Sequence, residues 1–243
     1  YIAHATPVVF PSSQLPDQNY SGSQGFGRGR FGPTSDGHSV AGGIGLLIDG
    51  DGDDVYRSSV FGLGAGYGFG IGIFSDESGD DTYELSWYGL GGAAHQACGF
   101  FMDRAGDDTY HISHYMAGGA GVDMSLGVFA DWQGDDQYRA RNASLGYATD
   151  NAIGIFWELA GKDRYHVLEG LGLGVIANER AQTLRGLWPT YGIFADFGGQ
   201  DEYAQPTQEN GRNWTQTEEA YPGWALGLDF RTTKGEVNNE NTQ

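Results

Sequence analysis

Short apolar runs along this chain break into acid and glycine in the same order each time. The stretches are GLLIDGDGDDVY (45–56), GIFSDESGDDTY (72–83), GFFMDRAGDDTY (99–110), GVFADWQGDDQY (127–138), GIFWELAGKDRY (154–165) and GIFADFGGQDEY (192–203). Aligned on Asp54, Asp81, Asp108, Asp136, Asp163 and Asp201, they recur at steps of 27, 27, 28, 27 and 38 residues. A fixed period in this range marks a solenoid or array. Between glycines the segments are short and rich in Ile, Val, Phe, Tyr and Thr, and Gly interrupts every candidate helix within two turns. That composition predicts short strands joined by Gly/Asp turns. One period accommodates about three strands and three turns, one coil of a parallel β-helix, whereas a propeller blade needs roughly 40 residues or more. The expected fold is an all-β repeat β-solenoid with six clear coils and degraded end coils.

The ends follow the same logic. DQNYSGSQGFGRG places Tyr20 near the tyrosine column, and WALGLDF places Asp229 near the first acidic column. Residues 1–18 read as an extended arm, 19–230 as one solenoid domain with an insertion near 176–190, and 231–243 as a polar tail. The insertion has helical composition, and Glu179, Arg180 and Arg185 are candidates for a docking point.

The columns make orientation predictions. Gly45, Gly72, Gly99, Gly127, Gly154 and Gly192 form one column. Beside it stand two apolar columns, Leu46/Ile73/Phe100/Val128/Ile155/Ile193 and Leu47/Phe74/Phe101/Phe129/Phe156/Phe194. Strand alternation cannot send two adjacent columns inward, so either the strand turns there or one column faces a partner. An exposed Phe ladder would be an interaction surface. Cys98 falls in a column otherwise held by Ile and Leu and reads as a core thiol. Tyr56, Tyr83, Tyr110, Tyr138, Tyr165 and Tyr203 predict a stacked ladder closing the core.

Composition narrows the function classes. With 13 Lys+Arg against 32 Asp+Glu the net charge is −19, which disfavours nucleic acid and anionic membranes as partners. Aromatic content of 14% argues against disorder. The single cysteine rules out an internal disulfide, and no apolar stretch is long enough for a membrane span. The chain begins at Tyr1 and reads as a mature or trimmed product.

Half of the acids fall in three columns. The first is Asp49, Asp76, Asp103, Asp131, Glu158 and Asp196. The second is Asp53, Asp80, Asp107 and Asp135, then Lys162 and Gln200. The third is Asp54, Asp81, Asp108, Asp136, Asp163 and Asp201. Stacked carboxylates about 5 Å apart repel by roughly 3 kcal/mol at an effective dielectric near 20, so something must offset the charge. Two readings stand. Each Asp accepts backbone N–H bonds within its own Gly turn, or Ca²⁺ lies between coils, drawing six to eight oxygens from the acids and turn carbonyls. The candidate ligands are Asp49, Asp54, Asp76, Asp81, Asp103, Asp108, Asp131 and Asp136.

GDGDDVY at 50–56 resembles the RTX nonapeptide, whose Ca²⁺-bound repeats form parallel β-rolls. Gly52, Asp54 and Tyr56 match its third Gly, its Asp and its large apolar residue, as do Gly79/Asp81/Tyr83 and Gly106/Asp108/Tyr110. The RTX unit recurs every nine residues and this one at steps of 27 or more, so the resemblance implies a turn type more firmly than a metal. The chain also resembles acidic GDDxY-repeat proteins of bacteria, a likeness that implies no activity.

Phosphate-binding, zinc and nucleophile-elbow patterns are missing. His111 and His114 are candidate ligands within one segment, and His95, Asp123 and Asp150 should stack in successive coils. The expected function is a non-enzymatic structural or protein-interaction module, secreted, periplasmic or at the cell surface, with Ca²⁺ at inter-coil Asp turns. Its partners would meet the N-terminal arm, the Phe ladder or the 176–190 excursion. The alternative is a glycan-binding or glycan-processing β-helix whose groove uses Trp87, Tyr88, Tyr115 and paired acids, since retaining glycosidases need carboxyls about 5–5.5 Å apart.

Overall fold

The computed structural model describes residues 1–2, 12, 15–29, 42–168, 172–177, 187–204, 213–217 and 223–230. Glu179, Arg180 and Arg185, most of the N-terminal arm and the 231–243 tail lie outside the described residues.

The expected β-solenoid is the fold. Each full coil supplies three strands, for example Ala93–Ala94, Cys98–Asp103 and Thr109–Ile112. Each strand pairs in parallel with its equivalents in the coils before and after. Stacking builds a short-strand sheet, a tyrosine sheet and a wide sheet. The wide sheet carries Ile44–Ile48, Ile71–Ser75, Cys98–Asp103, Leu126–Asp131, Ile153–Glu158, Thr190–Asp196 and Gly223–Asp229. Trp214–Thr217 closes its C-terminal end as an antiparallel strand.

The Phe column points inward: Phe74, Phe101, Phe129, Phe156 and Phe194 are fully buried. They stack at 4.6–5.1 Å, and the tyrosines form a second stack at 4.8–5.1 Å. The two ladders meet edge to face, as at Tyr83 and Phe101, 5.0 Å apart with planes at 90°, a favoured aromatic geometry. The Phe ladder is therefore core, and the expectation of an exposed one is corrected. The residues beside it alternate to the other face of the sheet, where Ser75, Ala130 and Ala195 are buried and the rest are half-buried or exposed. From N to C the outward positions read Ile-Leu-Ile, Ile-Ile-Ser, Cys-Phe-Met, Leu-Val-Ala, Ile-Ile-Trp, Tyr-Ile-Ala and Trp-Leu-Leu. Cys98 is one of these and only half-buried, so it is not a core thiol.

The inward Gly column has a steric reason. A Cβ on Gly72 would lie 1.9 Å from the Ala65 carbonyl oxygen, and one on Gly45 2.1 Å from that of Phe26. Backbone from the opposite wall sits directly on these glycines. The next residue's amide bonds across: Ile73 N–H donates to Gly25, Phe100 to Gly64, Val128 to Gly91 and Ile155 to Gly119, at 3.0–3.2 Å.

The ends differ from expectation at one point. Tyr20 lies outside the ladder; its ring packs on Phe26 and Phe61. Tyr1 takes the ladder position instead, stacked on Tyr56 at 5.1 Å, while its carbonyl accepts from Arg57 N–H at 2.8 Å. At the other end Asp229 pairs in register with Asp196, continuing the first acidic column.

Candidate cation site

The acid-bearing turns join the wide sheet to the tyrosine sheet. Their glycine is obligatory. Gly79, Gly106 and Gly134 hold φ of 144°, 154° and 156°, in the region that favours glycine. A Cβ on Gly106 would lie 1.7 Å from Gly79 O. These close turns bring the acids of neighbouring coils together.

Each column has its own bonding. In the third column the carboxylate accepts from the preceding coil's backbone: Asp54 N–H donates to Asp81, Asp81 to Asp108, Asp108 to Asp136, Asp136 to Asp163 and Asp163 to Asp201, at 2.6–2.9 Å. The second column runs the opposite way and is exposed. Asp80 N–H donates to Asp53, Asp107 to Asp80, Asp135 to Asp107 and Lys162 to Asp135, at 2.9–3.1 Å. First-column acids cap their own turns, as where Gly50 N–H donates to Asp49 at 2.8 Å and Ala105 N–H to Asp103 at 3.2 Å. They also accept from the previous coil's tyrosine: Tyr56 donates to Asp76 at 2.8 Å, Tyr83 to Asp103 at 2.6 Å, Tyr110 to Asp131 at 2.5 Å and Tyr165 to Asp196 at 2.8 Å. Tyr138 donates to Glu158. Own-turn bonding therefore holds for the first column, while all three columns tie coils to each other.

First- and third-column acids converge beneath the turns. Four clusters result: Asp81/Asp103/Asp108, Asp108/Asp131/Asp136, Asp136/Glu158/Asp163 and Asp163/Asp196/Asp201, each with carboxylate oxygens within 4.8 Å of one another. Asp131, Asp136, Glu158 and Asp163 are completely buried. Burial pushes Asp108 up to about 9 and Asp136 up to about 11, with the neighbouring charges of Asp103 and Asp131 adding to the rise. Asp131 and Glu158 are driven well above the usual carboxylate range for the same reason. One oxygen of each of Asp131, Asp136, Asp163 and Asp201 is buried with no hydrogen-bond partner. A buried, unpartnered carboxylate oxygen is costly, and these point to protons or cations as the missing counterpart.

Of the residues singled out from sequence, Asp81, Asp103, Asp108, Asp131 and Asp136 fall in these clusters, and Asp49, Asp54 and Asp76 do not. Glu158, Asp163, Asp196 and Asp201 join them. All four sit in the acidic columns, in the two coils where Lys162 and Gln200 take the second-column place of Asp. Lys162 belongs to the exposed second column, apart from the clusters.

The other candidates separate. His95 Nδ1 lies 2.5 Å from Asp123 Oδ2, so the expected stacking holds for this pair. His111 faces outward on Thr109–Ile112, and the His114 ring contacts Ser113 Oγ at 3.3 Å. Tyr88 is buried and stacked on Phe61, which removes it from any glycan groove. Among the described residues no helix is long and apolar enough to cross a membrane. No protein-family model matches the chain, and neither a curated protein nor a solved structure is significantly similar to it.

Proposed function

We propose that this chain is a non-enzymatic structural and protein-interaction module, working outside the cytoplasm, whose coils are locked together by Ca²⁺ bound at the buried acidic clusters. The observation that carries this reading is the set of unpartnered carboxylate oxygens on Asp131, Asp136, Asp163 and Asp201, each in a cluster of three acids. The donor set is all oxygen, which suits a hard divalent cation. The four clusters share Asp108, Asp136 and Asp163 and hold nine carboxylates in all, so four divalent ions would nearly balance them. Third-column acids already hold the preceding coil's amide, so they serve the stack rather than a substrate. The extracellular setting follows from calcium supply, since extracellular modules bind it with dissociation constants near 10⁻⁴–10⁻³ M.

The test is a thermal melt of the whole chain after EDTA treatment, then with excess CaCl₂, with MgCl₂ as control. A ligand at 100 times its dissociation constant adds about 2.7 kcal/mol, a shift of several degrees. The expected result is a calcium-specific rise, abolished in the pair Asp108→Asn with Asp136→Asn. Identical melts in EDTA and calcium would leave protons as the counterpart and remove the cation from the reading.

A further inference from the structure

Among the described residues, the outer face of the wide sheet carries no charged side chain. Its outward positions are apolar apart from Ser75 over seven parallel strands. Several are well exposed: Ile44 at 71%, Trp157 at 43% and Trp224 at 63%. Exposed Leu187 and Trp188 precede the last full-coil strand, and Phe197 stacks on Phe230 just past the strand ends at 5.0 Å. By contrast, the outer face of the tyrosine sheet carries Arg57, Glu84, His111, Arg139 and His166 in one column. A contiguous apolar face of this extent marks a contact surface.

We infer that this face pairs with the same face of a second copy of the chain, giving a two-fold symmetric, sheet-on-sheet dimer. Three observations select that occupant. First, the chain carries −19, so two copies repel wherever their acidic turns approach, and least across a face without charge. Second, the inner strands of the face are paired on both sides, so it gives an extended peptide no free edge to add to. A second sheet with the same coil spacing instead meets it at every coil, in aligned face-to-face packing. Third, the size is sufficient. Seven strands at about 4.8 Å by five residues at about 3.3 Å span roughly 500 Å². Two copies then bury about 1,000 Å², the lower bound for a specific interface, before the flanking aromatics are counted. The inference stands on this face alone and is independent of the cation reading.

Cys98, the only cysteine, lies on this face and reports on it without mutation. The experiment combines sedimentation velocity with maleimide labelling of Cys98 across a concentration series, in calcium and in EDTA. The expected results are a species of twice the 26.1 kDa chain mass and labelling that slows as the dimer forms. Ile155→Lys puts a charge at the centre of the face while lowering the net negative charge, so general repulsion cannot explain its effect. It is expected to weaken the dimer at least tenfold with an unchanged melt. Trp157→Gln serves if that variant does not fold, and His111→Lys, on the tyrosine sheet, should leave the dimer intact. A monomer at every concentration, a dimer indifferent to both face variants, or Cys98 labelling independent of concentration would overturn the inference. Co-sedimentation with phosphatidylcholine vesicles, lost in Ile155→Lys, would assign the face to lipid and overturn it as well.

Discussion

The Tyr83 hydroxyl donates to Asp103 of the following coil at 2.6 Å and contacts Asp81 of its own coil at 3.1 Å. One phenolic proton serves two carboxylates, so at least one of them depends on another proton or a cation. The tyrosine column thus has two roles: its rings close the core, and its hydroxyls link successive coils.

Replacing a tyrosine by phenylalanine keeps the ring stack and removes only the donor. Tyr110→Phe leaves Asp131 without its 2.5 Å bond inside a fully buried cluster. A loss of about 1–3 kcal/mol is expected in urea unfolding, the range for stranding a buried acceptor. An unchanged midpoint would mean the hydroxyl contributes nothing to the stack.

Metal-free stability should fall as pH rises. Unfolded carboxyls ionise near pH 4, whereas burial holds Asp108 and Asp136 protonated up to about 9 and about 11 in the folded chain. Between those limits the folded state binds more protons than the unfolded state, so raising pH favours unfolding. Melting temperatures in EDTA should therefore decline from mildly acidic to alkaline pH, and excess calcium should flatten the decline by replacing the protons. A metal-free melt that rises with pH would contradict this account of the clusters.

The turn glycines should divide by their surroundings. Gly106→Ala forces a Cβ to 1.7 Å from Gly79 O at a φ of 154°, whereas nothing lies within 4 Å of a Cβ on Gly50. The first should cost about 3–5 kcal/mol or prevent folding, and Gly50→Ala should stay within about 0.5 kcal/mol. Chemical denaturation of both variants is the check.

Adjacent phenylalanines should behave differently. Phe101 is fully buried and stacked between Phe74 and Phe129, so Phe101→Ala should lose about 3–5 kcal/mol. Phe100 faces outward and is half-buried, so Phe100→Ala should lose well under half of that in the monomer. Equal losses would contradict the assigned orientation.

The period, the three-strand coil and the tyrosine ladder were legible in the sequence, because a stacked coil repeats its demands at one spacing. Gly106 and Asp108 recur as columns since each turn must sit on the one before it. Asp229 was placed correctly from the half unit WALGLDF for the same reason. The acidic columns were also visible, but their bonding was not. A third-column acid such as Asp108 takes its amide from a neighbour 27 residues away, and sequence spacing alone does not separate that from a bond inside its own turn.

Tertiary structure decided what a period leaves ambiguous. Alternation required one of Phe100 and Phe101 to face outward without saying which. The choice follows from the Gly99 column, which faces inward with Phe101 and lets the opposite wall approach to backbone contact. The same geometry set Cys98 on the surface. Tyr1, not Tyr20, caps the ladder because the chain start returns to pair with Val55–Arg57, a contact between segments that no local pattern encodes. The sequence by itself determined what repeats, since each coil must satisfy its neighbours at one spacing. Which side each column faces, and what closes each end, depended on how the walls of the coil pack against each other.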